Sequence, residues 1–207
     1  HDENGVFRDP DVSYDGQRIL FSWKKSAKED DYHLYEMDFA TRSVRQLTFS
    51  LGFADYEGIY LRDGNIMFSS TRCVQNVDCW HVSVSNMYLM NKDGKYMRRI
   101  GYDQVHTNYP QVHPTSGLVT YTRWEYNDRS ALFTHPLVAM NPDGTAQMEY
   151  YGNNSMFPAA IIHALDAMVV SDGGIMHVSV GVGTPTVGVF GSAEPDVWFP
   201  YEEYGPY

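Results

Sequence analysis

The chain has 207 residues, 43% of them hydrophobic and 20% charged, which is the composition of a folded globular protein and not of a disordered one. A formal net charge of −11 argues against binding to a phosphate backbone, and the local basic patch of Lys95, Arg98 and Arg99 reads as a solvated face, so no nucleic-acid partner is expected. No apolar run approaches the ~20 residues of a membrane helix, and no membrane span is expected. Sixteen Tyr, ten Phe and four Trp favour β structure, where aromatic rings suit a pleated, half-buried surface. The chain opens at His1 without Met or a signal-like stretch, the look of a processed or excised piece.

In chain order, the first strand signal is Asp15-Gly16 followed by Ile19-Leu20-Phe21-Ser22-Trp23, a turn dipeptide ahead of a β-prone run. The same design returns at Asp63-Gly64 before Ile66-Met67-Phe68-Ser69, and at Ser116-Gly117 before Val119-Thr120-Tyr121-Thr122. Each copy continues alike. Tyr32–Asp38 alternates as a half-buried strand does and is followed by Val44–Thr48. Asn86–Asn91 leads through Lys92-Asp93-Gly94 to Tyr96–Ile100, and Pro136–Asn141 leads through Pro142-Asp143-Gly144 to Ala146–Tyr150. Met37, Met90 and Met140 recur at intervals of 53 and 50 residues, and the markers Pro10, Gly58, Pro110 and Pro158 at 48, 52 and 48. A period near 50 with several short strands per unit predicts a mainly β fold: three blades of a β-propeller and the start of a fourth. A β-sandwich would not repeat its turns at a fixed interval.

Asp-Pro-Asp-Val-Ser-Tyr-Asp-Gly, Leu-Tyr-Glu-Met-Asp and Arg-Gln-Leu-Thr resemble PD40 (TolB-like) propeller repeats. Asp-Tyr-Glu-Gly-Ile-Tyr-Leu-Arg-Asp-Gly, Ser-Ser-Thr-Arg-Cys and Tyr-Gly-Asn-Asn-Ser-Met-Phe-Pro resemble the propeller of hydrazine synthase alpha-subunit-like proteins, over residues 5 to 164. That resemblance implies a propeller and an extracytoplasmic setting. It does not imply hydrazine chemistry, since no Cys-x-x-Cys-His haem motif is present.

From about Ala164 the pattern changes. Asp166–Val170 reads as a buried strand, Ser171-Asp172-Gly173-Gly174 as a tight turn, Ile175–Val182 as a short helix and Thr186–Gly191 as a second buried strand, a βαβ unit. Ser171–His177, Gly183–Val187 and Phe190–Trp198 resemble the C-terminal domain of glycosyltransferase family 9 (heptosyltransferase-like). The expected domains are thus 1–163, a partial propeller, and 164–207, a fragment of a sugar-nucleotide-binding domain. Both look cut, and the chain reads as a chimera or fragment. The second resemblance implies a cytoplasmic setting, so location stays open.

Candidate sites follow from this division. Backbone N–H groups at a helix start opened by glycines suit a phosphate, which makes Ser171, Asp172, Gly173 and Gly174, with His177 one turn in, candidates for a sugar-nucleotide diphosphate. The resembled family usually has Ser or Thr in place of Gly173 and Pro in place of Ile175. Gly173 and Gly174 simply turning the chain is the competing reading. Asp9, Glu57 and Tyr109 each precede a blade marker and are candidates for lining a central channel, with His106 and Asn108 beside them; turn capping is the alternative. Arg72 and Arg123 are expected to form ion pairs between blades. Cys73 and Cys79 are six residues apart, spaced either for a loop disulfide or as two reduced thiols. No metal ligand set, no cofactor motif and no catalytic constellation is visible, and no catalytic residue is assigned. Two readings stand: a non-enzymatic propeller scaffold or binding module for an unknown protein or small molecule, and a sugar-nucleotide-dependent glycosyltransferase present as a donor-domain fragment. Uncovered blade faces predict self-association.

Overall fold

The computed structural model describes residues 5–26, 28, 31–77, 81–124, 135–151, 166–171 and 184–189. Three four-stranded antiparallel sheets follow one another along the chain. The first holds β1 (Val6–Val12), β2 (Arg18–Lys24), β3 (His33–Asp38) and β4 (Val44–Gln46), in that spatial order. The second holds β5 (Asp55–Tyr60), β6 (Ile66–Ser70), β7 (Asn86–Met90) and β8 (Arg98–Arg99). The third holds β9 (Thr107–Val112), β10 (Val119–Arg123), β11 (Leu137–Met140) and β12 (Met148–Tyr151). Each sheet runs up and down with its first strand innermost, and β5 packs beside β1 and β2 of the first sheet as β9 packs beside β5 and β6. These are three successive blades of a β-propeller.

Burial explains the sequence texture. In the middle sheet both faces are covered. Ile66, Phe68, Tyr88 and Met90 meet Leu20, Leu34 and Leu47 of the first sheet. Met67, Met87 and Leu89 meet Val119, Tyr121, Val138 and Met140 of the third. Two buried faces require an unbroken apolar run, which is how β6 and β7 read. On β2 only Leu20 and Ser22 are buried and the residues between them are half-exposed, so the strand alternates. The glycine of the β5–β6 turn, Gly64, takes φ +85°, a conformation that the missing side chain makes cheap.

The outer strands differ from expectation. β8 and β12 begin two residues later than the sequence suggested, because Tyr96 and Ala146 adopt φ of 57° and 53° and cannot extend a strand. Arg72 and Arg123 also depart from the expected pairing between blades. Each holds an acid of its own sheet, Asp55 at 2.7 Å and Glu149 at 3.4 Å. Each also reaches a segment that joins two sheets, Arg72 through the Phe49 carbonyl and Arg123 through Asp103.

The chain divides into two compact units, His1–Asn154 and Ser155–Tyr207. In the second, β13 (Met168–Ser171) and β14 (Thr186–Val189) pair in parallel, Met168 opposite Thr186 and Ser171 opposite Val189. Parallel neighbours need a crossover between them, as the βαβ reading expects. The segment expected to be that helix lies outside the described residues.

Candidate functional site

The three innermost strands carry the same distortion at the same place. β1 pairs Arg8 with Ser22 and Asp11 with Leu20, so two residues, Asp9 and Pro10, oppose one on β2. β5 does the same with Glu57 and Gly58, and β9 with Tyr109 and Pro110. In each bulge the first residue is left-handed, with φ of 53° at Asp9, 55° at Glu57 and 56° at Tyr109. A non-glycine residue held there costs on the order of 1–3 kcal/mol, so surrounding contacts must enforce it. Proline is tolerated as the second residue because a bulge leaves it out of the ladder.

The enforcing contacts run from blade to blade. Asp9 Oδ2 accepts the backbone N–H of Glu57 at 3.2 Å, and the Ser22 hydroxyl accepts it at 3.1 Å. Glu57 Oε2 in turn accepts the backbone N–H of Tyr109 at 2.8 Å and the Ser69 hydroxyl at 2.8 Å. One step along, Asp11 Oδ2 accepts the N–H of Tyr60 at 2.7 Å. Arg8 gathers the two acids, with Nε 2.6 Å from Asp9 and Nη2 3.3 Å from Glu57, while its guanidinium faces the rings of Tyr32 and Tyr56. Burial pushes the carboxyls of Glu57 and Asp11 above their ordinary values, against the hydrogen bonds from Tyr109 and Tyr60.

Around these bulges lies a cavity of about 180 Å³, lined by Asp9, Asp11, Glu57, Ile59, Tyr109, Gln111 and the three markers Pro10, Gly58 and Pro110. A second hollow of about 180 Å³ shares Asp11, Ile59 and Gln111 with it and continues to Tyr14 and Tyr60. Of the channel candidates, the structure therefore brings Asp9, Glu57 and Tyr109 to one cavity. Asn108 stands behind it, with Nδ2 3.5 Å from Glu57 Oε2. His106 is not in the lining; it sits at the seam between the second and third sheets, against Ser85 and Trp124. Arg8, Ser22, Ser69 and Asp11 belong to the network without having been singled out. The signal for the serines was their repeat position, directly after Phe21 and Phe68 in the second strands of the first two sheets.

Among the described residues no group of His, Cys, Asp and Glu is placed to hold a metal ion. Ser85 and His106 do touch, but Ser85 is fully buried and its own N–H occupies the nitrogen that would act as base. That pair offers no nucleophile to a substrate. Cys73 is a free thiol donating to the Val84 carbonyl at 3.1 Å, and Cys79 lies outside the described residues. Of the diphosphate candidates, Ser171 ends β13, and Asp172, Gly173, Gly174 and His177 lie outside the described residues. No described helix is long and apolar enough to cross a membrane.

The fold and the inner-strand cavity define a partial β-propeller. Among solved structures, hydrazine synthase of Kuenenia stuttgartiensis matches with a TM-score of 0.60 at 18% identity, over 71% of this chain and 25% of that one. TolB from Agrobacterium tumefaciens matches with a TM-score of 0.56 at 17% identity, over 71% and 49%. Oligogalacturonate lyase from Vibrio parahaemolyticus matches with a TM-score of 0.51 at 13% identity, over 72% and 42%. The chain thus spans half or less of each, and the likeness is one of fold. The model of glycosyltransferase family 9 (heptosyltransferase) matches residues 158–204. No curated protein matches the chain.

Proposed function

We propose that the chain serves as a non-enzymatic propeller scaffold or binding module, with the inner-strand cavity as its docking place for a small polar ligand or a peptide segment. The observation that carries this reading is the convergence of three left-handed bulges, 48 and 52 residues apart, on one cavity. Strain repeated at one spot of each blade, and enforced at Glu57 and Tyr109 by an acid of the preceding blade, is expected of a shaped binding surface. The resemblance to TolB-like repeats favours an extracytoplasmic setting. The test is a titration of the ¹⁵N-labelled chain with a panel of amines, sugars and short peptides. Saturable shifts at the Tyr109 and Gln111 amides, lost in Asp11→Asn, are expected. A panel that moves only surface amides refutes the reading.

A second reading, a donor-domain fragment of a sugar-nucleotide-dependent transferase, is favoured by the family match over residues 158–204 and by the parallel pair β13–β14. Its test is the shift in Tm caused by a nucleoside diphosphate sugar, which this reading expects to vanish in His177→Ala.

A further inference from the structure

His106 meets Ser85 where the second and third sheets join. The backbone N–H of Ser85, which can only donate, points at His106 Nδ1 at 3.1 Å, and the Ser85 hydroxyl lies 3.2 Å from the same nitrogen. Nδ1 therefore carries a lone pair, and the ring is the neutral tautomer with its proton on Nε2. The same two segments are joined again by the Thr107 N–H, which donates to the Ser85 carbonyl at 3.0 Å. From Ser85 the contacts lead to the cavity. The Ser85 hydroxyl lies 3.4 Å from Asn108 Oδ1, and Asn108 Nδ2 lies 3.5 Å from Glu57 Oε2, the carboxylate that holds Tyr109 in its bulge.

We propose that His106 is a proton-operated latch: a proton on Nδ1 sets two donors, the imidazolium and the Ser85 N–H, face to face, expels the ring, and loosens the seam together with the Asn108–Glu57 wall of the cavity. Charge around the ring does not oppose this. Trp124 stacks on it with centroids 5.6 Å apart, and His135 lies beyond Trp124 at 6.4 Å. At the end of β10, Arg123 is paired with Asp103 and Glu149. On β5 stand Tyr56 and Glu57, the latter already engaged by Arg8. Burial lowers the His106 pKa from its ordinary value, so the ring is neutral at pH 7. Because the folded value lies below the unfolded one, the latch stabilises the seam fully above pH ~6.5 and is lost as pH falls through the folded value.

The latch stands without any ligand; only its effect on the cavity rests on the proposed binding role. The test is an NMR titration of the imidazole from pH 8 to 5, with exchange of the Ser85 and Thr107 amides followed alongside. His106 is expected to show the Nε2–H tautomer at pH 7 and to titrate below the ordinary range. Protection of both amides, corrected for intrinsic exchange, should fall by up to about tenfold per pH unit between pH ~6.5 and that point, and level off below it. In His106→Gln, whose amide oxygen can accept the Ser85 N–H at any pH, protection should no longer depend on pH, while His135→Gln should behave as the parent does. A His106 that titrates normally, or Ser85 protection unmoved through its titration, overturns the latch. Loss of seam protection with the Tyr109 amide unshifted overturns its coupling to the cavity, whatever the ligand titration shows.

Discussion

Asp55 and Arg72 are joined by two parallel bonds, Nε to Oδ1 at 2.9 Å and Nη2 to Oδ2 at 2.7 Å, with the carboxylate wholly removed from solvent. The Ser70 hydroxyl adds a third bond at 2.6 Å, and His33 of the preceding sheet stands 3.6 Å away, an electrostatic contact outside hydrogen-bond length. The Asp55 N–H donates to Tyr32 across the same boundary, so this carboxylate fixes where the second blade leaves the first.

Removing the buried acid leaves the part-buried Arg72 guanidinium without its carboxylate. Asp55→Ala is expected to lower the unfolding free energy by about 3–5 kcal/mol, the usual cost of breaking one side of a buried pair. Burial alone would raise the Asp55 pKa, but His33, Arg72 and Ser70 outweigh it and hold it below the ordinary value. A depressed acid stabilises above its unfolded pKa and stops doing so as pH falls through the folded one. The parent should therefore lose this stability below pH ~4, and Asp55→Ala should lack that part of the acid transition in urea denaturation.

Glu57 shows the opposite sign. Burial raises its pKa, so folding disfavours the charged form and its cost to stability grows as pH rises above ~4.3. Glu57→Gln keeps an oxygen for the Tyr109 N–H and the Ser69 hydroxyl without the buried charge. It is expected to be at least as stable as the parent at pH 7, with the difference shrinking at pH 4. Glu57→Ala leaves those donors unaccepted and should cost about 1–3 kcal/mol. Denaturant midpoints at the two pH values check both.

Much of this architecture was readable, for a physical reason. Hairpin turns depend on residues two or three apart, so Asp15-Gly16, Asp63-Gly64 and Ser116-Gly117 announced each blade, and the residues before the markers pointed to Asp9, Glu57 and Tyr109. What stayed hidden depends on closure between blades. Arg8 earns its role only by reaching Glu57, 49 residues on, and Asp11 by reaching Tyr60, also 49 on. Proximity in sequence groups His106 with the channel, yet it precedes β9, three residues short of the Tyr109 bulge, and meets Ser85 at the seam.

Phe68 and Phe21 occupy the same repeat position with different surroundings. Phe68 is fully buried between the first and second sheets, and Phe21 is half-exposed on the open face of the first. Phe68→Ala should cost about 3–5 kcal/mol and Phe21→Ala clearly less, as measured by urea unfolding. Equal costs would mean that the open face is covered in solution.

Gly58 replaces the proline of the other two bulges, and its surroundings say why. A Cβ there would lie 2.8 Å from Leu20 Cδ2 and 3.0 Å from Leu34 Cδ2. Gly58→Ala is expected to destabilise by about 1–3 kcal/mol through overpacking. The strain should be relieved in Leu20→Val/Gly58→Ala, a non-additivity that a double-mutant cycle detects.

The open face of the first sheet carries a ladder of rings. Phe7 stacks on Trp23 with centroids 5.0 Å apart, Trp23 meets Tyr35 at 5.0 Å, and Lys25 lies over both Trp23 and Tyr35. In the other two sheets this face is covered by the sheet before it, and the counterparts of Phe21 there, Phe68 and Tyr121, are 0% and 1% exposed. In the first sheet Phe7 is 56% exposed. Exposed Phe7, with half-buried Phe21 and Trp23 beside it, favours contact with another apolar surface. A second copy supplies one at high concentration, so sedimentation velocity is expected to show association that grows with concentration and weakens in Phe7→Ser/Trp23→Thr. Salt should strengthen it, because burial of rings and not charge drives the contact. A parent that sediments as a monomer throughout, or a double variant that associates as the parent does, would place the contact elsewhere.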